Sequence, residues 1–109
     1  MSGPNLVSPY IDDILLKVIS LDDCYGYSIS KAISQMTSNR WSIKDATLYS
    51  GLRRLEAAKL ISAYWGDETQ GGRRKYYTLT PEGQDRLQSS IKNWQETKLI
   101  MDQILAWTA

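Results

Sequence analysis

The chain has 109 residues, a net charge of +1, 42% hydrophobic residues, one cysteine and no histidine. That length suits one domain, and those residue types leave no histidine-based nucleophile and no ligand set for a structural zinc; no cofactor is expected. A lone Cys24 excludes an internal disulfide, no apolar run approaches the ~18 residues of a membrane span, and Met1 to Pro9 carries no secretory pattern, so a reducing cytoplasm is the expected setting.

Read in chain order, Ile11, Ile14, Leu15, Val18 and Ile19 recur at the spacing of an amphipathic helix. Asp22 to Gly26 breaks it, and a second helix presents Ile29, Ile33 and Met36 on one face. The polar stretch Thr37 to Arg40 reads as a turn. Ser42, with Asp45 three residues on, predicts the N-cap of a third helix, in which Leu48, Leu52 and Leu55 face the core. The period then changes: Ile61, Ala63 and Trp65 alternate with Ser62 and Tyr64 as in a half-buried strand. Gly66 to Gly72 forms a turn-rich tip, and Arg74 to Leu79 a second strand. Thr80-Pro81-Glu82 supplies an N-cap, a proline at the first helical position and an acid in the first turn of a helix running toward Trp107. The expected fold is mainly α with a β-hairpin wing: a winged helix-turn-helix over residues 1–80 plus a long C-terminal dimerisation helix over 81–109, in one compact unit.

The paired acids Asp12/Asp13 and Asp22/Asp23 read as charges at helix ends, and Gly71-Gly72 lacks the spacing of a P-loop or dinucleotide fingerprint, so no enzyme is expected. The charge distribution is uneven. Residues 1–39 carry two lysines against four aspartates, and residues 40–75 carry eight Lys/Arg against four Asp/Glu. A basic middle suits a surface that faces nucleic acid.

On the third helix, at about 100° per residue, Thr47, Ser50, Arg53 and Arg54 lie opposite the leucines, with small Ala46 and Ala57 between them. Lys44 precedes them, and Tyr49 falls on the flank, where it either packs inward or reaches a phosphate. Arginines pair with guanine edges or phosphates, and hydroxyls serve phosphates or bases. In the expected wing, Gly71 and Gly72 permit a tight turn and Arg73, Arg74 and Lys75 bring cations to the returning strand. The same hairpin also reads as an edge protected by charge. The competing function is a winged-helix protein-interaction module that never touches DNA, which calls for apolar or acidic residues where Thr47, Ser50, Arg53 and Arg54 stand.

These residues resemble the PadR family of bacterial regulators. The likeness rests on Tyr25-Gly26-Tyr27, Ala46-Thr47-Leu48-Tyr49, Arg54-Leu55-Glu56, Gly71 through Tyr77, and Leu79-Thr80-Pro81-Glu82-Gly83, spread over about residues 10–107. The resemblance implies a homodimeric transcriptional repressor bound to a pseudo-palindromic duplex operator, similar to the short subfamily with one helix after the wing. By motif position it implies DNA contacts from Tyr27, Thr47, Tyr49, Arg53 and the Gly71–Lys75 wing. Some short members resemble multidrug sensors, in which a cavity between subunits holds flat aromatic compounds between paired tryptophans.

The last helix carries Leu87, Ile91, Trp94, Met101 and Leu105, with Leu99, Ile100, Ile104 and Trp107 as a second apolar strip. So much exposed apolar surface predicts a homodimer joined through Leu87, Ile91, Trp94, Met101, Ile104 and Leu105. Trp94 reads either as an interface anchor or as a stacking wall for a planar aromatic effector. Lys98, one turn on, favours an anionic or neutral ligand. Cys24 is expected to be a small packed residue.

Overall fold

A computed structural model describes residues 3–67 and 72–109. Its elements are α1 (Ser8–Leu21), β1 (Cys24–Tyr25), α2 (Gly26–Met36), α3 (Asp45–Ala57), β2 (Ile61–Trp65), β3 (Lys75–Leu79) and α4 (Pro81–Leu105). The core is aliphatic: Leu15, Leu16, Ile19, Ile29, Ile33, Leu48, Leu52 and Ile61 are almost wholly enclosed. The faces read from periodicity in the first three helices are therefore the faces that pack, except at Met36, which the end of α2 leaves 53% exposed.

The hairpin is larger than the sequence suggests. Residues 24–25, read as a helix break, form a third strand, and the antiparallel sheet runs β1-β3-β2. Cys24 pairs with Tyr77 and Ala63 with the same Tyr77, placing these three on the inner face. Burial, then the nearby Asp23 and Asp22, raise the Cys24 thiol from 9.0 to about 11. The native chain should therefore resist alkylation at pH 8 and react once unfolded; rapid native labelling would contradict this packing. A raised acid pKa in the fold means the unfolded chain releases its proton first. This group's contribution to stability is thus complete below pH 9 and falls as pH rises toward 11.

Helix ends follow side-chain chemistry at one place, backbone bonding at two and packing at a fourth. Thr80 caps α4, its hydroxyl accepting from the Gly83 amide at 3.0 Å. Both α2 and α3 end in doubled backbone bonds, Asn39 N–H to Ser34 O and Leu60 N–H to Leu55 O, with Ser38 and Lys59 at positive φ. The expected Ser42 cap is not used: α3 begins at Asp45, and Lys44 is extended with no side-chain cap. Ile43 is buried there, so the segment stays extended to reach the core, and Asp45 supplies the charge in the first turn. The returning strand starts at Lys75, one residue later than expected, and α4 ends at Leu105 rather than near Trp107. At 1.5 Å per residue α4 is about 37 Å long, and the molecule extends 64 Å along its longest axis. Its second half projects from the core, with Leu99, Ile100, Met101, Ile104 and Leu105 exposed.

Candidate nucleic-acid interface

The third helix crosses α1 closely, since a Cβ on Gly51 would lie 2.6 Å from Leu15 Cδ1. That approach turns the opposite face of α3 outward. Arg53, Ala46 and Ala57 are exposed there, flanked by Tyr49, with Lys44 exposed ahead of the helix. Thr47 and Ser50 are half-buried at its edge. Arg54 departs from expectation. Its Nη2 lies 2.8 Å from Asp12 Oδ1, its Nε donates to the same oxygen at 3.3 Å, and its Nη1 donates to Ser50 Oγ at 3.2 Å. Arg54 and Ser50 are thus tied back toward α1, and Arg53 is the arginine left on the outer strip.

Tyr49 resolves its flank position by reaching α2. Its hydroxyl stands over Gly26, where any Cβ would collide with it. Glycine at the first residue of α2 therefore leaves room for the Tyr49 ring to lie against that helix start. Tyr27, the next residue, is 66% exposed, with Lys31 Nζ of the same helix 5.8 Å from its ring centre.

In the wing, Gly71 lies outside the described residues, and Gly72, Arg73 and Arg74 are exposed. The cations point three ways. Arg73 Nε donates to the Gly66 carbonyl at 3.2 Å, Arg74 lies 4.7 Å over the Tyr25 ring, and Lys75 Nζ sits 3.5 Å from Glu56 Oε1 of α3. The Lys75 ammonium also lies 5.6 Å from the Tyr77 ring, so this cation sits between the sheet and α3. On the sheet's outer face Tyr25, Tyr76 and Tyr64 form a cross-strand row, the Tyr25–Tyr76 pair edge-on at 5.4 Å and the Tyr64–Tyr76 pair stacked at 5.7 Å. Tyr64 donates to Asp23 Oδ2 at 2.6 Å, a bond that holds its phenol up at about 12. The row was not read from the sequence, although the strand alternation that gave β2 its parity places Tyr64 outward.

The last helix divides into two parts. Leu87 belongs to the core of this chain at 3% exposure, not to the expected interface, because the first turns of α4 pack on α1 and the sheet. Ile91 is partly buried against that core, while Trp94, Met101, Ile104 and Leu105 remain exposed. Trp94 meets Tyr10 of α1 edge-on at 5.7 Å. These two help to line an apolar groove of about 650 Å³ between α1, α2 and α4, with Ile14, Ile33, Trp41 and Ile91. Lys98, the cation assigned to this neighbourhood from the sequence, is not among the lining residues; it pairs with Asp102 at 3.2 Å along α4. The charged residues of the lining are Asp13 and Lys17. Trp41 and the groove also went unread, because they join residues far apart in the chain.

No helix among the described residues is long and apolar enough to cross a membrane. The family model "Transcriptional regulator PadR-like family" matches residues 15–89. A Lysinibacillus sphaericus protein, "Uncharacterized protein X", is 44% identical over 102 residues, spanning 94% of each chain. A transcriptional regulator of Clostridium thermocellum has a similar structure, with a TM-score of 0.80 and 40% identity, over 86% of this chain and 91% of that one. A PadR family transcription regulator of Clostridium difficile matches at TM-score 0.78 and 40% identity, over 89% of this chain and 99% of that one. Members of this family regulate transcription and are not enzymes. With four helices and a three-stranded wing sheet among the described residues, and this match across the helix-turn-helix and wing, the chain belongs to the PadR-like family of transcriptional regulators.

Proposed function

We propose that the protein is a sequence-specific repressor that binds a pseudo-palindromic duplex operator as a homodimer. The observation that carries this reading is the outer strip of α3: exposed Arg53 beside Ala46 and Ala57, with Lys44 and Tyr49 at its margins and a cationic wing alongside. Small residues let the helix enter a major groove, and the cations meet base edges and phosphates. The apolar or acidic strip that a protein-interaction module needs is missing from this face. Residues 1–80 supply the DNA-reading part and 81–109 the dimerisation helix. Trp94, Met101, Ile104 and Leu105 form the subunit contact, since a monomer would leave this strip in water. The effector is a planar aromatic compound held between subunits against Trp94, with Lys17 and Asp13 in place of Lys98 as its charged neighbours.

A gel shift on the protein's own promoter tests the reading. Specific binding by a species of dimer mass, weakening steeply with salt, is expected. Equal affinity for promoter and random duplex, or a monomer at micromolar concentration, would refute it. Planar aromatic compounds added to the same titration should quench tryptophan emission and weaken the shift. If a panel of them leaves both signals unchanged, the effector part falls alone.

A further inference from the structure

The turn between α2 and α3 sets the angle of the recognition helix, and it is braced by a segment from the other end of the domain. The Trp41 indole Nε1 donates to the Pro4 carbonyl at 3.1 Å across 37 residues of sequence. Gly3 lies against the same turn at φ +74°, and a Cβ there would sit 2.7 Å from the Arg40 carbonyl oxygen. On the turn's own side the Thr37 hydroxyl donates to the Trp41 carbonyl at 3.1 Å and accepts from the Trp41 amide at 3.3 Å. Ile43 is buried two residues later, and α3 starts at Asp45. The arm leads in the other direction into α1, where Tyr10 abuts Trp94. Leu6, Tyr10, Trp41 and Trp94 line one groove. The Tyr10–Trp94 contact and the Trp41–Pro4 bond thus border one groove, joined by the arm and the start of α1.

We propose that Trp41 is a positioning residue for DNA binding: latched to Pro4, it lets the N-terminal arm hold the α2–α3 turn in its DNA-competent geometry and couples that geometry to the Tyr10–Trp94 contact. The inference rests on α3 being the DNA-reading helix. A turn that is already ordered need not be ordered during binding, so loosening the latch lowers affinity without removing a DNA contact.

A double-mutant cycle does so, with Trp41→Phe, which keeps the ring and loses the N–H, and Tyr10→Leu at the other end. Promoter affinity and thermal melting are read for each variant at verified dimer mass. Each single change is expected to weaken promoter binding by about fivefold to tenfold, with the double variant no weaker than the weaker single. Thermal melting checks that each variant is folded at the temperature of the binding assay. Gly3→Ala, which leaves Tyr10 and every tryptophan in place, should reproduce the affinity loss and keeps the proposal testable should Trp41→Phe fold poorly. Multiplying affinity losses, or promoter affinities of Trp41→Phe and Gly3→Ala both within about twofold of wild type, would overturn the latch. A wild-type chain that binds no promoter DNA would overturn the DNA-reading assignment of α3 and the latch with it, whereas the first two outcomes leave that assignment standing.

Discussion

Replacing Gly83 with alanine is expected to destabilise the fold by about 2–3 kcal/mol, lowering Tm by roughly 10 °C. Gly83 is buried in the first turn of α4. An added methyl would run into the Leu60 carbonyl oxygen, lie 3.0 Å from the Leu60 carbonyl carbon and 2.8 Å from Leu79 Cδ1. The obstacle is backbone, and that backbone is already committed: the Thr80 amide donates to Leu60 O at 3.1 Å, and the Thr80 hydroxyl lies 2.9 Å from it. Alanine gains about 1 kcal/mol over glycine in a helix interior, which is smaller than the cost of forcing this junction apart. Gly26→Ala makes a useful contrast, because the obstacle there is the tip of the Tyr49 side chain, which can swing away. Its loss should appear mainly in DNA affinity. Equal melting temperatures for Gly83→Ala and wild type in thermal denaturation would refute the argument.

Arg53→Ala is expected to weaken specific promoter binding by about 1–3 kcal/mol, the range of one base-reading arginine. Arg54→Ala should weaken it less, because Asp12 and Ser50 already hold that guanidinium. The Asp12–Arg54 pair is partly exposed, and its loss should cost stability no more than about 1 kcal/mol. Competition titrations with promoter and random duplex separate the two arginines. A larger loss of specificity at Arg54 than at Arg53 would reverse the assignment.

The distinction between these adjacent arginines shows where sequence reading stops. Periodicity placed both opposite Leu48, Leu52 and Leu55, and it was right that neither belongs to the core. It had no access to Asp12, which lies 42 residues away in the chain and reaches Arg54 only through the close α1–α3 crossing. Leu87 failed for the related reason that an apolar stripe does not say which neighbour covers it. Its upper part is covered by α1 and the sheet of the same chain, and the lower part is exposed. Ser42 was an apt capping residue overruled by the burial of Ile43 beside it.

The sequence by itself determined the order of the helices and the hairpin, the inward faces of the first three helices apart from Met36, the Thr80-Pro81 start of α4 and the family motifs. Each is set by periods and residue chemistry acting over a few neighbouring positions. Tertiary structure alone decided the third strand at Cys24–Tyr25, the diversion of Arg54 and Lys75 onto Asp12 and Glu56, and the groove beneath Trp41 and Trp94. Those features join residues far apart in the chain. Their partners are chosen by how the helices and sheet pack, a geometry that no local pattern encodes.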